Sequence, residues 1–176
     1  MEANRIEEKI YKYGADILAS EGMQKEKTFV QHGSITCYDH SLRVAEKSLE
    51  LAEKCSAYID ERSLVRGALL HDYFLYDWHE KDGGHRLHGF FHAERALHNA
   101  RRDFNLNFIE RDIIRKHMFP LNITPPKFRE SWIVTWADKL CAAEETTRAV
   151  RLAFTKTAHG RSEEHTSELQ SPQNRG

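Results

Sequence analysis

The chain has 176 residues, 40% hydrophobic and 30% charged, enough for one globular domain with a continuous core. With 26 basic and 27 acidic side chains, a net charge of −1 and a pI near 6.8, it has no general attraction for nucleic acid or anionic lipid. No run of 18 apolar residues could span a bilayer, and charges fill residues 1–9, where a signal peptide needs an apolar segment, so a cytoplasmic location is expected. Cys37, Cys55 and Cys141 are odd in number and far apart, which argues against a disulfide framework or a thiolate zinc site. The eleven histidines are the one compositional excess.

In chain order, residues 3–20 place Ile6, Ile10, Ala15, Ile17 and Leu18 among charges and predict an amphipathic helix ending near Glu21-Gly22. Residues 23–36 break that period and read as a loop carrying His32. A helix follows from about Tyr38 to Lys54, with Leu42, Ala45, Leu49 and Ala52 on its apolar side; His40 opens it, within one turn of Arg43. The next apolar run, Leu64, Val65, Ala68, Leu69 and Leu70, predicts a buried helix that delivers the pair His71-Asp72. A carboxylate there needs a cation or strong donors beside it, and the adjacent imidazole points to a metal; a hydrogen-bonded core histidine followed by a capping aspartate is the rival reading of the pair alone.

Residues 73–89 mix aromatic side chains with Gly83-Gly84 and three histidines, more than a connector needs, and predict a pocket wall. Helical spacing returns over Phe90 to Phe104, with Phe91, Ala96, Leu97 and Ala100 predicted buried and His92 near the start. A further helix from Phe108 ends on His117 before Pro120, and a last one runs from about Phe128 to Ala153 with Asp138 among Trp136, Ala137, Leu140 and Cys141. That carboxylate also calls for a buried cation. No strand-like alternation and no internal repeat is present, so the expected fold is all-α, a single bundle of about six helices.

His40, His71-Asp72, His92, His117 and Asp138 thus sit at helix ends or inside apolar helices, the way bundles build metal centres from facing helices. Four imidazoles and two carboxylates suit one or two divalent transition-metal ions: Fe, Mn, Co or Zn. Over about residues 32–146 this pattern resembles the HD-domain metal-dependent phosphohydrolase superfamily, with its His…His-Asp…Asp order. His40 in Tyr-Asp-His-Ser-Leu-Arg-Val-Ala matches the first histidine, Ala68-Leu-Leu-His-Asp72 the signature pair and Ala137-Asp-Lys139 the terminal aspartate. His92 and His117 resemble the additional histidines of the two-metal branch, although His88, four residues earlier, is an alternative to His92.

The resemblance implies that His40, His71, Asp72 and Asp138 hold one ion and that Asp72 bridges to a second, completed by His92 and His117. It implies hydrolysis of a phosphate ester or anhydride of a small, nucleotide-like substrate by metal-bound hydroxide, since two cations about 3.5–4 Å apart lower a shared water's pKa toward about 7 and neutralise phosphoryl oxygens. Asp72 is then central to catalysis, and Arg43 and Lys139 are the expected phosphate contacts. No nucleic-acid or membrane partner is expected, and an oligomer is compatible with the sequence. Two departures stand out: Tyr73-Phe-Leu-Tyr-Asp77 follows the His-Asp pair without a lysine, and no Gly-Tyr-Pro signature occurs, which disfavours cyclic dinucleotides. A mixed-valent di-iron HD-type oxygenase fits the same ligands, and a non-catalytic nucleotide-binding HD module is a third alternative.

His32, His79 and His85 are expected at the pocket mouth, and His98 and His159 on the surface. Trp78, Trp132 and Trp136 could stack on a base, but helical spacing favours core positions for the last two. Residues 161–176 lack apolar periodicity and predict a disordered tail after a domain spanning 1–160. Arg161 to Ser171 resembles the translation of a sequencing adapter, an artefact rather than native chain, so His165 drops out of the ligand count.

Overall fold

A ten-residue helix in which every position from Ser63 to Leu70 is buried forms the middle of the molecule. The computed structural model describes residues 2–32, 35–75 and 88–168. Among them are α1 (Glu2–Leu18), α2 (Glu21–Lys25), β1 (Val30–His32), β2 (Ile35–Thr36), α3 (Cys37–Glu53), α4 (Glu61–Leu70), α5 (His88–Asp103), α6 (Phe108–Lys116) and α7 (Arg129–Glu168). The central helix is α4, and it packs against α1, α3, α5, α6 and α7. Its flanks supply the other walls of one core: Ile10 and Ile17 from α1, Val44 and Leu49 from α3, Ile113 and Ile114 from α6, and Val134 and Ala137 from α7.

Side chains fix the helix starts. Thr36 Oγ1 accepts from the Asp39 amide at 3.1 Å, Asp60 accepts from the Ser63 amide at 3.1 Å, and Asn107 and Glu110 form a reciprocal capping box before α6. Each cap satisfies amide donors that the helix leaves without partners, which sets where the following imidazole falls.

The helical class is as expected, with three differences. The segment read as a loop holds the second half of α2, whose N-cap is Ser20, a 3-10 turn over Glu26–Thr28 and the antiparallel hairpin β1–β2, which pairs Val30 with Thr36. Strands of three and two residues are too short for alternation to register in the sequence, and α2 exists because Met23 plugs the core. Phe91, Trp132, Trp136 and Leu140, read as core, are exposed. The buried face of α5 is Ala93, Ala96, Leu97 and Ala100, and that of α7 is Val134, Ala137 and Cys141, so the large side chains lie one helical position off the seam. Finally, α7 runs past the expected end at Ala153 to Glu168, with no proline between its bounds, so the expected disordered tail overlaps the helix over 161–168. The rest of that tail, with Trp78, His79, Lys81, Gly83-Gly84 and His85 of the expected pocket wall, lies outside the described residues.

Candidate metal centre

α4 and α6 come together where Gly67 meets Ile113: a Cβ on Gly67 would lie 2.9 Å from both Cβ and Cγ2 of Ile113. One helical turn further along each helix stand His71 and His117, whose ring centroids are 4.9 Å apart and perpendicular. The close approach that glycine permits therefore brings two imidazoles together from helices distant in sequence. α3 adds His40, α5 adds His92 and α7 adds Asp138. His40 and His71 are fully buried, and Asp72, His92 and His117 nearly so.

Three overlapping groups have ligand atoms within 4.8 Å of one another: His40, His71 and Asp72; His71, His117 and Asp138; and Asp72, His92 and His117. Asp72 lies between the others. Its Oδ2 is 3.5 Å from His71 Nε2, and its Oδ1 is 3.3 Å from His92 Nε2 and 3.4 Å from His117 Nε2. Asp138 Oδ1 lies 3.2 Å from His40 Nε2 and 3.7 Å from His71 Nε2.

The outward hydrogen bonds decide which nitrogen each ring turns inward. His71 Nδ1 donates to the Ala68 carbonyl at 2.7 Å and His117 Nδ1 to the Ile114 carbonyl at 2.9 Å, so both Nε2 atoms carry lone pairs toward the aspartates when the rings are neutral. His40 Nδ1 faces the buried Glu145 at 3.0 Å. His71 Nε2 and Asp72 Oδ1 are buried without a hydrogen-bond partner. Orphaned acceptors are costly in a dry site, so a lone pair and a carboxylate oxygen aimed at one space fit a cation there. The donor set is imidazole and carboxylate without sulfur, which suits a transition ion of borderline hardness.

The charges agree with this. Burial would raise the Asp72 carboxyl, but the facing imidazoles of His71, His117 and His92 outweigh it and hold it well below the usual range. Asp138 is likewise lowered: burial would raise it, but the facing imidazoles of His40 and His71 outweigh that. Burial keeps His117 below its ordinary value and thus neutral, whereas in His40 the two flanking carboxylates overcome burial and push the ring up to about 10.

All six side chains that the sequence singled out as ligands meet at this site. Lys139 lies at the edge, its Nζ donating to the His117 carbonyl at 3.0 Å, with burial lowering its pKa. Arg43 stands one carboxylate away: Nη1 is 3.1 Å from Glu145 Oε1 and Nη2 is 3.2 Å from the exposed Glu144. His98 is exposed, as expected. The described side chains do not include His32, His88 or His159.

Three supporting residues escaped the sequence reading. Glu145 orients His40, Gln31 donates to Asp72 Oδ2 at 2.6 Å, and Glu26, pushed up to about 8 mainly by burial, accepts from the Leu75 amide just beyond the His-Asp pair. Leu75 itself has φ of 60°, a left-handed conformation uncommon for a non-glycine residue. Glu145 could have been found as the position two turns after Asp138 on the same helix face; Gln31 and Glu26 carry no signal of that kind.

Compared with known proteins, the HD domain family model matches residues 37–143, more than half of the chain. No curated protein and no solved structure matches. No helix among the described residues is long and apolar enough to cross a membrane.

Proposed function

The chain belongs to the HD domain family, and on that premise we propose that it is a metal-dependent phosphohydrolase acting on a phosphate ester or anhydride of a small, nucleotide-like substrate. The observation that carries this reading is Asp72, a buried carboxylate with one oxygen toward His71 and the other toward His92 and His117, whose Oδ1, like His71 Nε2, has no hydrogen-bond partner. His40, His71, Asp72 and Asp138 would hold one divalent ion, and Asp72, His92 and His117 a second. Bound there, the cations would acidify a water and neutralise phosphoryl oxygens.

The protein's own side chains supply orientation and charge. The Ala68 and Ile114 carbonyls hold the His71 and His117 rings in the tautomer that presents Nε2, and Glu145 does the same for His40. Burial excludes bulk water, so charges within the site act across a low dielectric. Lys139 is the nearer candidate for a phosphoryl oxygen. Arg43 is the second: its contact with exposed Glu144 is a surface ion pair worth about 0–1 kcal/mol, weak enough for a substrate phosphate to displace.

Elemental analysis of anaerobically purified protein, followed by a screen of phosphomonoesters, cyclic nucleotides and dinucleoside polyphosphates with Mn(II), tests the reading. Release of phosphate or a mononucleotide that depends on the metal is the expected result. A retained Fe(II)/Fe(III) pair with oxygen uptake on a polyol or phosphonate would replace hydrolysis with oxygenation, and tight nucleotide binding without product would reduce the protein to a sensor.

A further inference from the structure

Asp72 Oδ2, the oxygen that faces His71, also meets a side chain from the hairpin. Gln31, buried on β1, donates from Nε2 to Asp72 Oδ2 at 2.6 Å, and its Oε1 accepts from the thiol of Cys37 at 3.3 Å. Cys37 is fully buried at the first position of α3, and its amide donates to the Phe29 carbonyl at 2.9 Å, which ties the start of that helix to the residue before β1. The short hairpin thus delivers the amide and the thiol to the same place.

The two contacts agree on one orientation of the amide. An ionised carboxylate only accepts, so the NH2 end of Gln31 must face Asp72; the carbonyl end then needs a donor, and the thiol, which also meets the Glu26 carboxyl, is one. Carboxylate rotation about χ2 is otherwise soft, and any rotation moves both oxygens of a bridging aspartate at once. Glutamine is also neutral. A lysine or arginine at this point would fix the carboxylate but cancel the charge that a cation needs, whereas an amide fixes it and leaves the charge in place.

We propose that Gln31, oriented by the Cys37 thiol, is the positioning residue that sets the plane of the Asp72 carboxylate, with Oδ2 toward His71 and Oδ1 toward His92 and His117. The proposal rests on the metal reading of the site and adds to it a neutral support from the hairpin.

The test is Co(II) titration of the full chain, followed by visible absorption and calorimetry, on wild type, Gln31→Leu, Cys37→Ala and Cys37→Ser. Gln31→Leu should weaken Co(II) binding by about 10–100-fold, the range for loss of a partner behind a metal ligand, and shift the d–d bands of the bound ion. Cys37→Ala should move both in the same direction by less, and Cys37→Ser, which keeps an O–H donor, should restore them. A Gln31→Leu variant with a lower Tm but unchanged affinity and spectrum overturns the positioning role. Should that variant fail to fold, Cys37→Ala and Cys37→Ser behaving alike overturns it instead. A wild-type chain that binds no Co(II) removes the metal reading itself and this proposal with it, a failure seen before any variant is made.

Discussion

The Nε2 atoms of His92 and His117 approach to 2.9 Å, and both lie within 3.4 Å of Asp72 Oδ1. Two imidazole nitrogens so close cannot both present lone pairs unless something positive lies beside them; a proton or a metal ion meets that need. On the metal reading of the site, the second ion meets it. His92→Ala or His117→Ala should therefore remove about one equivalent of a two-ion complement, whereas Asp72→Ala should remove both and abolish turnover with the far-ultraviolet helix signal intact. Elemental analysis beside circular dichroism reads this, and a fully loaded, active Asp72→Ala variant would contradict the whole assignment.

Arg43 distinguishes a phosphate contact from a structural one. Through Glu145 it is linked to His40, yet its other nitrogen meets the exposed Glu144. Arg43→Ala should raise KM or lower kcat for the phosphorylated substrate with metal content unchanged. Metal loss equal to that of Asp138→Ala would reassign the guanidinium to holding Glu145 behind His40.

Gly67 sets how closely α4 and α6 approach. A methyl there overlaps Ile113, a cost of about 1–3 kcal/mol for overpacking, partly offset by the roughly 1 kcal/mol by which alanine favours a helix over glycine. Gly67→Ala should lower stability in urea titration, and it should weaken metal binding as well, because the same separation governs the His71–His117 contact. An unchanged or higher midpoint would show that the two helices part freely.

Asp112 contributes to the acid dependence away from the metal ligands. Burial raises its carboxyl, but Lys116 at 2.8 Å, the Lys127 amide at 2.8 Å and the Ser131 hydroxyl at 2.8 Å outweigh it, leaving the folded pKa below the ordinary 3.8. The folded state then binds fewer protons than the unfolded one, so this stabilisation is complete above about pH 4 and is lost as pH falls through the folded value. Asp112→Asn should lower stability at pH 7 by about 2–3 kcal/mol, since Lys116 stays buried without its partner, and should flatten the decline below pH 4. Parallel acid limbs for variant and wild type would assign that decline to other carboxylates.

The residues His40, His71, Asp72, His92, His117 and Asp138 were legible in the sequence because each is a polar group set at a helix end or within an apolar stripe, and periodicity along one helix reports such a mismatch locally. The all-helical class was legible for the same reason. Periodicity does not report which helix faces which, or the rotation of a helix about its own axis by a single position. For that reason Trp132, Trp136 and Leu140 read as core but are exposed beside the buried seam of Val134, Ala137 and Cys141. The supports behind the ligands arise from contacts across the folded chain: Gln31 is 41 residues from Asp72, and Glu145 is 105 from His40. Residue identity and local pattern determined what could bind a cation; only packing decided which nitrogen turns inward and what holds each carboxylate in place, because hydrogen-bond geometry between distant segments exists only once the core has brought them together.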